Sequence, residues 1–207
     1  MQTSSLIALI KRQAPGWSNE EIRELIDDVQ LIMLSHALEF NRSIDTSTGL
    51  DHVLTTTTGI YEYEISIANG FTDDALFIES VYTTTDPEPA YNYDEDRVED
   101  GEDVYSVPAT RASVAKVIFK DDPLGNDFYI RYYKKPTSVS MQYTNLSVPE
   151  WWHIKGVRVG VLGIIEEVEH GTSRNWERFE KEVLPNFWNE MNTTIDTIGT
   201  KTGSKGY

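Results

Sequence analysis

The chain has 207 residues, 18 Lys+Arg against 34 Asp+Glu, a net charge of -16 and no cysteine. That length suits one domain, or one with a protruding subdomain, and leaves enough chain for a real core. The charge excludes a surface built to grip nucleic-acid phosphates, which needs clustered cations. The missing thiol excludes disulfides and cysteine chemistry, and redox usage therefore says nothing about compartment.

The opening segment, MQTSSLIALIKRQAPGW, predicts a short helix over residues 4–13, stopped by Pro15 and Gly16. Its apolar run spans five residues and is followed, not preceded, by Lys11 and Arg12, the reverse of a secretory signal. No apolar run reaches the roughly 18 residues of a membrane span, and the longest, Gly156 to Ile165, contains Arg158. A soluble protein without a cleavable signal is expected.

Ser18-Asn19-Glu20-Glu21 is a capping box, the serine hydroxyl serving first-turn amides and Glu21 reaching back. Behind it Ile22, Leu25, Ile26, Val29, Ile32 and Met33 recur at helical spacing, predicting a second helix to about Phe40. From Leu31 onward Leu34, Ala37 and Leu38 add a second apolar side, which suits packing between partners.

The middle of the chain predicts strands. Ile60 to Ile67 alternates apolar or aromatic with polar residues, the pattern of a half-buried strand, with Thr55 to Thr58 as its approach. Ala75 to Thr85, Ser113 to Lys120 and Asp127 to Lys135 are further strands. The turn residues of Asp122 to Asn126 predict a hairpin between the last two. Residues 86–103 hold nine acids against Arg97, half of the net charge. Such a block is expected to be a solvated, mobile loop. Asp94, Asp96, Asp100 and Asp103 could be calcium ligands, but their spacing fits no EF-hand.

Pro149 starts a long helix of about 21 residues, or about 30 Å, that ends at His170 and Gly171. Gly156, Gly160 and Gly163 lie on one stripe of it. Each costs the helix about 1 kcal/mol against alanine, so something must approach closely. That something is either the same chain or, as at small-residue dimerisation stripes, a subunit neighbour to which Trp151 and Trp152 would also belong. Thr172 or Ser173 then caps a last helix through Trp176, Phe179, Val183, Phe187, Trp188 and Met191, with Pro185 expected to kink or split it. The expected class is α+β. A helical bundle of two N-terminal and two C-terminal helices, residues 1–52 and 146–195, carries an inserted small antiparallel β-sheet or sandwich at 53–145. Residues 196–207 form a flexible tail.

No catalytic constellation stands out. The four histidines show no metal spacing, and Glu167-Val168-Glu169-His170 is a single Glu-x-x-His where a di-iron bundle needs two. No phosphate-binding or nucleophile motif occurs, and neither metal nor cofactor is expected. Residues 111–135 are locally basic, with Arg111, Lys116, Lys120, Arg131, Lys134 and Lys135 against three aspartates. Pairing of Arg131, Lys134 and Lys135 with Asp94, Asp96 and Asp100 of another copy is one reading; screening within the chain is the other.

Four motifs in order carry a resemblance. They are P-G-W-S-x-E-E-I-x-x-L-I at Pro15 to Ile26, T-T-G-I-Y-E-Y-E-I at Thr57 to Ile65, Y-Y-K-K-P at Tyr132 to Pro136 and V-P-E-W-W at Val148 to Trp152. Together they resemble the head–tail adaptor (connector, or head-completion) proteins of tailed bacteriophages, across nearly the whole chain. The resemblance implies a non-enzymatic ring, typically of about twelve copies, at the neck of the virion. The ring would join the portal protein to a tail or nozzle protein, let DNA pass without binding it specifically, and be made in the host cytoplasm. It further implies an extended C-terminal tail docking on the portal, here Ile195, Ile198, Lys201, Lys205 and Tyr207. A net-negative ring suits a channel through which DNA slides. The alternative is a β-sandwich binding module that recognises a ligand or surface glycan with Tyr61, Tyr63, Tyr129, Tyr132 and Tyr133 as its platform.

Overall fold

The computed structural model describes residues 2–35, 37, 42–43, 51–83, 89–92, 104–110, 112–139 and 145–199. The fold is mixed α+β and divides into two compact units, Met1–Phe40 with Pro136–Tyr207, and Asn41–Lys135.

In the helical unit α1 is Thr3–Lys11 and α2 is Asn19–Leu34. The capping box is formed: Ser18 Oγ accepts the Glu21 amide at 3.1 Å, and Glu21 Oε2 accepts the Ser18 amide at 2.7 Å. α2 stops six residues before the expected Phe40. Ser35 turns its hydroxyl back onto the Ile32 carbonyl at 2.8 Å, a local bond that competes with helix continuation. Ala37 is buried all the same, which is why its apolar character read as more helix. Ser138, Val139 and Ser147 are anchored on α2: Asp27 accepts from Ser138 Oγ and the Val139 amide, and Gln30 Oε1 from the Ser147 amide.

After Pro149 a π-turn at His153–Val157 leads into α3, Arg158–His170, which Gly171 ends at φ +72 with its amide on the Glu167 carbonyl. Ser173 caps α4, Arg174–Arg178; a second π-turn, Phe179–Val183, joins it to α5, Leu184–Gly199. Pro185 therefore does not split this helix. The Leu184 amide reaches five residues back to the Phe179 carbonyl, so the extra residue widens the turn where the proline ring would meet a carbonyl. Leu6, Ile10, Ile22, Ile26, Val29 and Met33 from α1 and α2 share one core with Trp152, Val157, Val161, Ile165, Phe179 and Phe187. Each of the large side chains contributes about 1.5–3 kcal/mol by burial.

The β unit holds seven strands among the described residues: β1 His52–Thr55, β2 Glu62–Glu64, β3 Ala75–Thr83, β4 Pro89–Asn92, β5 Val104–Val107, β6 Lys116–Phe119 and β7 Asp127–Lys134. They form two antiparallel sheets, β1-β7-β3-β4 and β2-β6-β5. Three expectations are corrected. First, β6 and β7 do not form a hairpin: β6 lies between β2 and β5, and β7 between β1 and β3, so each already has both edges paired. The turn between them crosses from one sheet to the other. Second, the strand expected over Ile60 to Ile67 is shorter: Glu62–Glu64 pairs with β6, flanked by backbone hydrogen bonds from the Phe119 amide to the Tyr61 carbonyl and from the Ile65 amide to the Ala115 carbonyl, after which Asp74 Oδ1 takes the Ile67 amide and a 3₁₀ turn follows at Ile67–Asn69. Third, the acidic segment is not loop throughout, because Pro89–Asn92 pairs with β3, with Ser80 opposite Asn92 and Val81 opposite Tyr91. Asp94, Asp96, Asp100 and Asp103 lie outside the described residues. Ile65, Ile78, Val81, Val117, Ile130 and Tyr132, drawn from both sheets, make one apolar core.

Candidate functional site

The glycine stripe is used inside the chain. A Cβ at Gly156 would lie 2.8 Å from Met33 Cε, one at Gly160 2.8 Å from Val29 Cγ1 and 2.9 Å from Phe179 Cε2, and one at Gly163 2.7 Å from the Trp176 backbone nitrogen. All three are buried. Their missing side chains let α3 approach α2 on one side and α4 with its π-turn on the other. Trp152 is buried edge-to-face against Phe187, at 5.2 Å and 82°. Trp151 points out, 60% exposed, with its indole N–H on Glu190 Oε1 at 2.7 Å. The two tryptophans of the V-P-E-W-W motif thus do different work.

The cations expected to reach a neighbouring copy have partners within the β unit. Lys134 Nζ is 3.7 Å from Asp73, Lys135 Nζ donates to the Ser113 carbonyl at 2.8 Å, and Lys116 bridges Glu62 and Glu64. Arg131 belongs to the best-built polar cluster of the unit. It donates to the buried Asp51 carboxylate through Nε at 3.2 Å and Nη2 at 3.1 Å, with Glu79 3.8 Å away. Arg42 Nη2 reaches the other Asp51 oxygen, Oδ1, at 2.8 Å, and the Tyr82 hydroxyl donates to Oδ2, the oxygen Arg131 binds, at 2.7 Å. Register explains the meeting: Ser80 lies opposite Arg131 and Tyr82 opposite Tyr129, while Arg42 bridges to Tyr133.

Burial alone would raise the Asp51 pKa, but hydrogen bonds from Arg42, Tyr82 and Arg131 outweigh it and hold the carboxyl below its ordinary value. Burial and the Asp51 charge push Tyr82 up to about 12. For Arg131, burial works against the charge and the Asp51 hydrogen bond prevails, raising it further. The Asp51 carboxylate thus accepts from two guanidiniums and a phenol at once. The arrangement is a clamp that holds residue 42 and β1 to the face of β7 and β3.

A second polar group sits on the inner side. Ser43 Oγ lies 3.0 Å from His52 Nε2 and donates to Asp73 Oδ2 at 2.9 Å, while the His52 ring packs 4.9 Å from Tyr132. A serine–histidine pair invites a hydrolase reading. Ser43 is fully buried, and among the described residues Asp73 accepts from the serine itself, where a relay needs the acid on the histidine. Its amide also donates to the Tyr132 carbonyl at 2.9 Å. The group ties Ser43 to β1 and β7.

The tyrosines of the binding-module reading do not share one open face. Tyr132 and Tyr133 are buried, Tyr133 stacked on Phe77; Tyr129 stacks on Tyr82; and the Tyr63 hydroxyl is spent on the Thr57 and Ile60 backbone. Tyr61 is exposed. Ile195 and Ile198 fall on α5, which runs four residues past the expected boundary, and Lys201, Lys205 and Tyr207 lie outside the described residues. No group of His, Cys, Asp or Glu among the described residues is placed to hold a metal ion, and no helix there is long and apolar enough to cross a membrane.

No family model and no curated protein matches the chain. Sequence reading missed Asp51, Arg42 and Tyr82. The signal was faint: Tyr82 and Arg131 are far from Asp51 in the chain, and only an arginine amid the aromatic alternation of β7 hinted that its face holds an acid.

Proposed function

We propose that this chain is a structural, non-enzymatic virion protein, a head–tail adaptor that forms a ring under the portal, joins capsid to tail and lets DNA pass. The observation that carries the reading is the layout of the chain. Helices from its two ends share one core, and the β unit is inserted whole between them, which is the order the adaptor resemblance implies. In this reading the helices act as a bundle forming the wall of the ring. The two sheets with their common core act as a small sandwich that presents a docking surface to the next tail component. The net charge of -16 suits a lumen that repels phosphate. The glycine-packed α3 and the Asp51 clamp stiffen each unit, as a load-transmitting part requires.

The C-terminal segment is the portal anchor. Deleting residues 200–207 should abolish capture of the purified chain by portal rings while leaving its circular dichroism and melting temperature unchanged. Portal capture undiminished by that truncation would remove the anchor from the proposal.

A further inference from the structure

β1 ends one sheet of the β unit and β2 ends the other, so among the described residues each pairs along one edge only. One bond sets which backbone groups of β1 point away. The Thr56 amide donates to the carbonyl of Asn126, directly opposite it, at 3.0 Å, and β1 holds that register against β7 without a shift. Bonded residues alternate along an antiparallel ladder. His52 and Leu54 therefore bond β7, while Val53 and Thr55 turn their N–H and C=O groups outward. Those four groups have no hydrogen-bond partner among the described residues.

Edge strands that must stay unpaired carry lysine, proline or a bulge. β4, the opposite edge of the same sheet, opens with Pro89, and the register beside it shifts between Val81 and Tyr82. β1, with the sequence HVLT, has none of these devices. Next to it lies a cleft of about 450 Å³, walled by Leu54 and Thr55 from β1 and by Glu62, Tyr63 and Glu64 from β2, with Phe71 adding apolar area. The charged residues lining this cleft are Glu62 and Glu64. Both share one counter-ion, Lys116, at 2.6 and 3.2 Å, and both side chains stay half exposed. One ammonium against two carboxylates leaves the cleft negative.

We infer that this cleft accepts an extended, lysine- or arginine-bearing segment of a partner protein, added to β1 as a further strand. Outward N–H and C=O groups at every second residue are the chemistry that recognises a strand, and the apolar walls take its alternate side chains. The negative pair selects a cation among the remaining ones. Strand addition gives β1 the second neighbour that β7 and β3 already have. The inference stands on the sheet edges and is independent of the adaptor reading: virion composition tests that reading, and peptide binding tests this one.

Amide hydrogen exchange of the full chain, alone and with the synthetic peptide Thr-Lys-Val-Thr-Val-Lys-Thr, is the experiment. In the free chain Val53 and Thr55 should exchange fast and His52 and Leu54 slowly, since only the second pair bonds β7. Saturating peptide should slow Val53 and Thr55 by about tenfold or more. The same peptide with every backbone amide N-methylated should give no protection, and one with glutamate for lysine should bind about tenfold more weakly. Val53→Pro should also weaken binding by about tenfold. Its melting temperature should hold, because proline at an outward-facing edge position removes no ladder bond; if that variant fails to fold, the N-methylated peptide decides alone. Val53 and Thr55 already slow in the free chain, no protection by millimolar peptide, or protection reproduced by the N-methylated peptide would each overturn the inference. Equal binding of the glutamate peptide would overturn the choice of a basic partner.

Discussion

Replacing Gly163 by alanine sets a known gain against a close approach of backbone. Alanine favours a helix interior by about 1 kcal/mol over glycine. The new Cβ, however, would lie 2.7 Å from the Trp176 nitrogen, 2.8 Å from its Cα and 3.1 Å from the Asn175 carbonyl carbon, all main-chain atoms that no rotamer change moves. Overpacking of this kind costs about 1–3 kcal/mol. The Trp176 amide is also the one capped by Ser173 Oγ at 2.8 Å, so displacing it puts a cap worth about 1 kcal/mol at risk. The balance is a loss of about 2 kcal/mol, which in a chain of this length lowers the melting temperature by about 4–8 °C. Gly156→Ala is the internal control. Its Cβ meets the Met33 methyl at 2.8 Å and the Trp152 ring at 3.1 Å, and a methionine tip swings aside cheaply, so the helix gain and the repacking about cancel. Gly160→Ala, against Val29 and the Phe179 ring, should fall between. Thermal circular dichroism of the three variants gives the order directly. Gly163→Ala as stable as the unmodified chain, or Gly156→Ala as the worst of the series, would refute close backbone approach as the reason for the stripe.

Asp51→Asn should cost about 2 kcal/mol by denaturant unfolding, less than the roughly 3–5 of a fully buried pair because the Arg42 and Arg131 side chains keep about a third of their exposure. The Asp51 pKa is lowered in the fold, so its contribution is present above the unfolded value near 4 and lost as pH falls through the lowered one. The unmodified chain should thus lose melting temperature more steeply than Asp51→Asn below about pH 4; parallel curves would contradict the clamp. Tyr82, raised to about 12, stabilises the fold below pH 10 and ceases to as pH rises from about 10 to 12. Tyr82→Phe should therefore flatten the alkaline loss of stability, and an unchanged alkaline limb counts against the Asp51–Tyr82 bond. Leu124→Gly should raise stability by about 1 kcal/mol in chemical denaturation by relieving the left-handed strain at φ +57; a loss instead would mean the leucine supports the fold.

Local signals in this chain translated well where one residue decides one bond. Ser18 with Glu21 and Gly171 did what their chemistry dictates, and the apolar spacing of Ile22 to Met33 did find the core. What failed depended on partners distant in sequence. Asp122 to Asn126 has the residues of a hairpin turn, yet whether flanking strands pair is set by which edges are already taken, and β2, β5, β1 and β3 had taken them. Pro185 reads as a break until the π-turn before it is seen, and no periodicity announces an inserted residue. The glycine stripe announced close approach without naming the neighbour, because Met33, Val29 and Trp176 reach it only through the packing of three helices. The Asp51 cluster joins residues 42, 51, 82 and 131, and nothing local in the sequence links them.

Quantitative mass spectrometry of gradient-purified virions from the source, counting this chain against the portal protein, addresses the central claim most directly. The adaptor account predicts parity with the portal, one ring per particle. A particle that lacks the chain, or carries it at many times the portal's copy number, would contradict it.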